Sequence, residues 1–182
     1  MSTVYLRYKI IKGKHPKEKQ MASILGFKLK NRTIYRGDDG QANQGDLWYK
    51  KQKIAWFNDS ADGSPIDLEY NSREEKEKYQ PILEAAIKEY YKRYPIEYKY
   101  GEIIPDEGMF MCELLALMDN EKSYKNMVKK GFPIVIMYTE SANSPYTQIV
   151  GVKSEVSAQN FISKNGITKY TIYKSIEDFD IK

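Results

Sequence analysis

SREEKEKYQPILEAAIKEYYKRY, residues 72–94, is the stretch from which the fold class follows. Tyr79, Ile82, Leu83, Ala86, Ile87, Tyr90, Tyr91 and Tyr94 recur at steps of three and four, the repeat of a helix with one buried face. Ser72 followed by Glu75 spells a capping box. Glu84 with Lys88 and Glu89 with Arg93 are spaced to pair on the wet face. Pro81 lacks a backbone donor and is expected to bend or restart the helix, and Pro95 ends it.

Toward the C-terminus, Asp106 is placed to cap a second helix that begins MFMCELLALM, apolar nearly all round, and that runs with a bend near Asp119–Asn120 to Gly131. Such a pattern predicts a buried helix, with Cys112 as a small buried hydrophobe. Residues 132–139 then predict a central strand, SANSP a turn and 146–153 the return strand. A helix over 157–164, stopped at Asn165–Gly166, leads to a last strand in ITKYTIYKS.

Toward the N-terminus, residues 3–11 alternate as a half-buried strand, with Arg7 and Lys9 on the outward side. Pro16 opens a short helix whose face is Met21, Ile24 and Leu25, and Gly26 stops it. Residues 27–36 predict a strand in which Phe27 and Leu29 alternate with Lys28 and Lys30. Residues 37–70 are rich in Gly, Asp, Asn and Ser and predict loops around two short strands near 46–50 and 54–58. Both ends thus show strand, short helix and strand, each closing on Thr-Ile-Tyr, at 33–35 and 171–173. The expected fold is α+β, a mainly antiparallel sheet packed on two central helices, as one domain over 1–182 divisible into lobes 1–70 and 71–182.

Charge is distributed unevenly along this chain. Arg7, Lys9, Lys12, Lys14, Lys17, Lys19, Lys28, Lys30, Arg32 and Arg36 face a single acid, Glu18, in the first 36 residues, a surplus of nine; the whole chain is only +4, which leaves −5 for residues 37–182. A basic block of this kind, set beside Tyr5, suits phosphate, while an acid-rich remainder discourages uniform coating of a nucleic acid. Lys-rich edge strands that resist aggregation are the alternative reading. Segments 58–77 and 97–121 hold seven carboxylates each.

Most catalytic templates fail on inventory. His15 is the one histidine and Cys112 the one cysteine, which excludes an intrachain disulfide, multi-cysteine zinc sites and triads built on a buried histidine. No Walker loop, G-x-G-x-x-G or G-x-S-x-G occurs. Asn58 to Glu69 matches a calcium loop at Asp62, Gly63 and Glu69, but Asn58 and Ser60 are poor ligands and Pro65 fits badly, so an Asp-Gly turn is expected. Asp67 with Glu97 and Lys99 could form the acidic and E-x-K elements of a metal-dependent nuclease. No run is apolar enough to cross a bilayer and no signal-peptide core is present, which predicts a soluble intracellular protein.

In length, in its Tyr/Lys/Asn-rich composition and in segments such as KGKHPKEKQ (12–20) and NDSADGSPIDLEYNSREEKEK (58–78), the chain resembles anti-CRISPR proteins directed at the RNA-guided nuclease of type II systems. The resemblance implies a mobile-element protein acting in the cytoplasm of a bacterial host. It would inhibit target recognition or cleavage by stoichiometric binding to the nuclease, its guide RNA or both, with no catalysis, metal or cofactor. The chain departs from the acidic DNA mimics of that kind by being net basic. Its expected contacts are the ten bases named above on one face and Asp62, Asp67, Glu69, Glu74, Glu75 and Glu77 on the other. A nucleic-acid-binding accessory protein and a metal-dependent nuclease are the other readings.

Overall fold

The computed structural model describes residues 21–37, 40–96, 101, 103–139 and 147–182. The strand expected over 3–11, the helix start at Pro16 and the SANSP turn lie outside the described residues. Strands β1 (Ser23–Ile24), β2 (Phe27–Arg36), β3 (Gln41–Tyr49), β4 (Gln52–Asp59) and β5 (Asp67–Tyr70) come first, then helices α1 (Arg73–Arg93) and α2 (Glu107–Lys129). β6 (Ile134–Thr139), β7 (Thr147–Val152), α3 (Glu155–Lys164), β8 (Tyr170–Tyr173), a 3-10 turn over Ile176–Phe179 and β9 (Asp180–Ile181) follow. One sheet has the order β5-β4-β3-β2-β1-β9, antiparallel except where β1 runs parallel to β9; the other is antiparallel β7-β6-β8. The architecture is α+β, as the sequence predicts.

Helix α1 forms as expected, with one refinement at its cap. Ser72 accepts the Glu75 N–H at 3.2 Å, but the Glu75 carboxylate takes Asn71 (2.6 Å) and Gln52 (3.2 Å), so that carboxylate ties α1 to the β4 start. The helix runs through Pro81 without a break and buries Tyr79, Leu83, Ala86, Ile87, Tyr90 and Tyr91. Arg93 pairs with Glu89, whereas Glu84 accepts from Gln80 at 3.1 Å rather than pairing with Lys88. Helix α2 starts at Asp106, which accepts the Met109 N–H at 2.8 Å, and continues through Asp119–Asn120. It is not buried all round: Phe110, Met111, Leu114, Leu115 and Leu117 face the core, but Cys112 and Ala116 are exposed because small side chains line the solvent side.

Two other expectations are corrected. Residues 21–25 are not helical, since Ile24 pairs with Phe27 across a two-residue turn at Leu25–Gly26 with φ of 49° and 84°. Gly26 supplies the left-handed backbone that such hairpin turns need, so the residue expected to stop a helix instead turns a strand. Likewise 37–70 is mostly sheet: the two expected strands are longer than expected, as β3 and β4, and β5 is a third that was not expected. Polar QANQG extends β3 with Ala42, Asn43 and Gly45, not large hydrophobics, at its buried positions, and Asn43 is satisfied there by accepting from Arg32 Nε (2.8 Å) and donating to Asp59 (3.0 Å). The two Thr-Ile-Tyr triplets fall in β2 of one sheet and β8 of the other.

Phe27, Leu29, Leu47, Ala55 and Phe57 on one face of the larger sheet join Leu83, Ala86, Ile87 and Tyr90 of α1 and Phe110, Met111 and Leu114 of α2 in one apolar cluster. Val135 and Met137 of β6 enter the same cluster, while Ile134 and Ile136 on the other face of β6 pack on Ala158 and Ile162 of α3. β6 is therefore covered on both sides, which accounts for its unbroken apolar run. No described helix is long and apolar enough to cross a membrane.

Candidate partner-binding surface

The face of the larger sheet turned away from α1 and α2 carries the side chains that alternate with the core positions. Register places them in rows: Lys28 beside Trp48 beside Lys53, then Lys30, Asp46, Trp56 and Glu69, then Thr33, Gln44, Asn58 and Asp67. The Lys30 ammonium lies 3.5 Å above the centre of the Trp48 ring, a cation–π contact. Lys53 pairs with Asp46 at 2.7 Å and Asn31 donates to the same carboxylate at 2.7 Å. Burial raises the Asp46 carboxyl, but these two donors outweigh it and hold the group below its ordinary value. The Tyr35 hydroxyl donates to Asn58 at 2.7 Å and extends the patch along β2.

Charge changes sign across this face. Lys28 and Lys30 stand on β2, and exposed Asp67 and Glu69 stand on β5 at the opposite edge. Beyond that edge come Asp62 in the β4–β5 turn and Glu74, Glu75 and Glu77 in the first turns of α1. Asp62 is held down to about 2 by hydrogen bonds from the Ser64 side chain and backbone, and Glu74 is lowered by its own N–H and by Ser72. Glu77 pairs with Arg73 at 2.8 Å, and Glu75 serves Asn71 and Gln52, so Asp67 and Glu69 are the expected acids with no such internal duty among the described residues.

The expected basic stripe is split. A β-bulge between Lys30 and Thr33, with Asn31 at a φ of 53°, adds a residue to β2 and reverses which side chains face out. Arg32, which would stand with Lys28 and Lys30 on a regular strand, turns instead toward α2, with Nη1 2.6 Å from Asp119 and Nε donating to Asn43 at 2.8 Å. Arg36 is exposed at the end of β2 opposite Gln41. Arg7, Lys9, Lys12, Lys14, Lys17 and Lys19 lie outside the described residues. Sequence reasoning overlooked Trp48 and Trp56. They are the two tryptophans of the chain, and their register with Lys28 and Lys30 becomes visible only once β3 and β4 are paired. The buried Trp48 Nε1 has no acceptor among the described residues.

The calcium-loop resemblance dissolves in the pairing of β4 with β5, as an Asp-Gly turn requires. Asn58 sits opposite Asp67 and Glu69 opposite Trp56, so the oxygens are spread along a hairpin. Asp67 of the nuclease pattern is on β5, while Glu97 and Lys99 lie outside the described residues. Among the described residues no group of three or more His, Cys, Asp or Glu could hold a metal ion. No family model, curated protein or solved structure matches this chain.

A more enclosed cavity of about 340 Å³ lies where α1, α2, β1 and β8 meet, lined by Tyr90, Tyr94, Glu113, Asn120, Tyr173 and Asp178 among others. Burial raises the Glu113 carboxyl, and the Tyr90 hydroxyl donates to it at 3.3 Å. Among the described residues that line the cavity there is no cationic side chain.

Proposed function

We propose that this protein inhibits an RNA-guided DNA nuclease of the CRISPR type by stoichiometric binding. The observation that carries the reading is the two-signed face of the larger sheet, where Lys28, Lys30 and Trp48 lie across the same surface from Asp67 and Glu69. An effector nuclease with its guide presents both phosphate and a positively charged nucleic-acid channel, so a binder that offers cations and carboxylates side by side complements it in both signs. Trp48 and Trp56 add half-buried aromatic area, the residue type that anchors interfaces. The same reading agrees with the resemblance in length and composition and with the poverty of catalytic inventory.

Titrating the protein into a guide-loaded type II nuclease and following cleavage of a target duplex tests this. Inhibition that saturates near one inhibitor per nuclease supports binding, whereas no inhibition at any ratio, or target loss caused by the protein itself with Mg²⁺, rejects it. A nucleic-acid-binding accessory protein is the second reading, favoured by the cation stacked on Trp48, since aromatic and basic side chains together hold single strands. Capture of the nuclease that survives ribonuclease treatment separates the two.

A further inference from the structure

Glu113, which lines the cavity between α1, α2, β1 and β8, has no counterion among the described residues. It is half-buried, and its hydrogen bond there comes from the Tyr90 hydroxyl at 3.3 Å. A carboxylate offers about four lone-pair sites, so a single long bond leaves most of its accepting capacity unspent. Two cations adjacent in sequence to lining tyrosines are engaged elsewhere: Arg93 pairs with Glu89 and donates to the Lys182 carbonyl, and Lys174 pairs with Glu155 at 3.0 Å. Three aromatic rings share the cavity with Glu113. Tyr90 and Tyr173 are each 7 % exposed, and the ring of exposed Tyr94 lies 4.9 Å from that of Tyr90. Tyr173 is fixed by stacking on Phe179 at 4.3 Å and by a hydrogen bond from Asn120. Exposed Asp178, which accepts the Lys174 and Ser175 N–H groups at 2.6 and 2.9 Å, adds a second negative charge to the lining. Ring quadrupoles and carboxylates both attract a cation. A guanidinium suits this lining better than an ammonium, because it is more weakly hydrated, stacks on rings and meets a carboxylate with two parallel bonds.

We propose that this cavity takes the guanidinium of an arginine side chain from a partner protein, with Glu113 as the paired carboxylate and Tyr90, Tyr94 and Tyr173 as the aromatic lining. Tyr94, Thr171 and Asp178 are exposed, so the cavity is reached from solvent. A free amino acid fits less well, since the described lining offers no cation to its α-carboxylate. The inference rests on the inhibitor reading only for which partner supplies the arginine, a nuclease whose nucleic-acid channel is positively charged. The chemistry of the cavity is independent of that reading.

The test titrates N-acetyl-L-arginine methylamide into the isotope-labelled full-length protein at neutral pH, with binding followed by amide chemical shifts in NMR spectra. Saturable shifts are expected around Glu113 and Asn120 on α2 and around Tyr173 on β8. Glu113→Gln, which removes the charge and keeps the shape, is expected to weaken binding about tenfold, whereas Glu84→Gln, an equal charge change on the exposed face of α1, should bind as the parent does. The lysine analogue of the probe should bind about threefold more weakly. Absence of a saturable shift, shifts that map away from the cavity, equal losses in the two variants or equal binding of the lysine analogue would each overturn the proposal. Free L-arginine binding more tightly than the capped probe would make this a metabolite site and overturn the assignment to a partner. Because the assay contains no nuclease, its failure is distinct from failure of the inhibition titration. In that titration, loss of potency by Glu113→Gln supports the nuclease as the source of the arginine, and undiminished potency would overturn that source.

Discussion

The two faces of the larger sheet are built from the same strands with opposite chemistry. Inward, Phe27, Leu29, Leu47, Ala55 and Phe57 are fully buried; outward, Lys28, Lys30, Trp48 and Trp56 remain half-exposed between charged neighbours. Period-two alternation explains the difference until the bulge after Lys30, where one added residue exchanges the faces and sends Arg32 inward to Asp119. The inward face therefore carries stability, and the outward face is free to carry recognition.

Truncation on the inward side should show the largest effect. Phe57→Ala is expected to cost about 3–5 kcal/mol in urea unfolding, because a fully buried ring is replaced by a cavity. A loss below about 1 kcal/mol would break the distinction between the faces. Next in size is the bulge itself. A Cβ on Gly45 would lie 2.8 Å from the Lys30 carbonyl oxygen and 2.9 Å from the Phe57 ring, so Gly45→Ala should cost about 1–3 kcal/mol, as the backbone there cannot withdraw. Thermal unfolding reads this directly, and unchanged stability would mean that β2 and β3 tolerate a wider bulge.

The inward side of the comparison was largely legible before the structure. The three- and four-residue repeat of 72–94, the Asp106 cap and the apolar run at 134–137 each impose a local preference that tertiary packing reinforces. The outward side was not. Lys28 and Lys30 were visible by alternation, but a bulge at Asn31 has no periodic signature, so Arg32 was placed on the wrong face. Trp48 and Trp56 acquire meaning only through pairing between strands, and β9 joins β1 across almost the whole chain, a contact no local pattern encodes. At 21–25, one Met-Ile-Leu spacing served helix and hairpin equally, and the pinning of Met21 and Ala22 by Glu121, a hundred residues away, sided with the extended chain.

Smaller effects sharpen the contrast between buried and recognising groups. Glu113 has a folded-state pKa raised above its ordinary 4.5 by burial, with Tyr90 opposing. The native state thus binds its proton more tightly than the unfolded chain does, so this group's contribution is largest below 4.5 and falls as pH rises toward the folded value. Glu113→Gln should accordingly stabilise by about 0.5 kcal/mol at neutral pH, allowing for solvent screening of a half-buried carboxylate, and leave stability at pH 4 unchanged. Equal effects at both pH values would contradict the assignment.

Stability should respond comparably little to the outward cations. Reversing Lys28 and Lys30 removes the contact with Trp48 and no ion pair among the described residues, at a cost of about 0.5–1 kcal/mol. Inhibition of a guide-loaded nuclease by K28E/K30E, compared with the parent protein at equal folded fraction, is therefore the measurement that bears most directly on the outer face as the partner-binding surface. The account predicts at least a tenfold loss of inhibitory potency with the fold intact. Potency equal to that of the parent protein would contradict it.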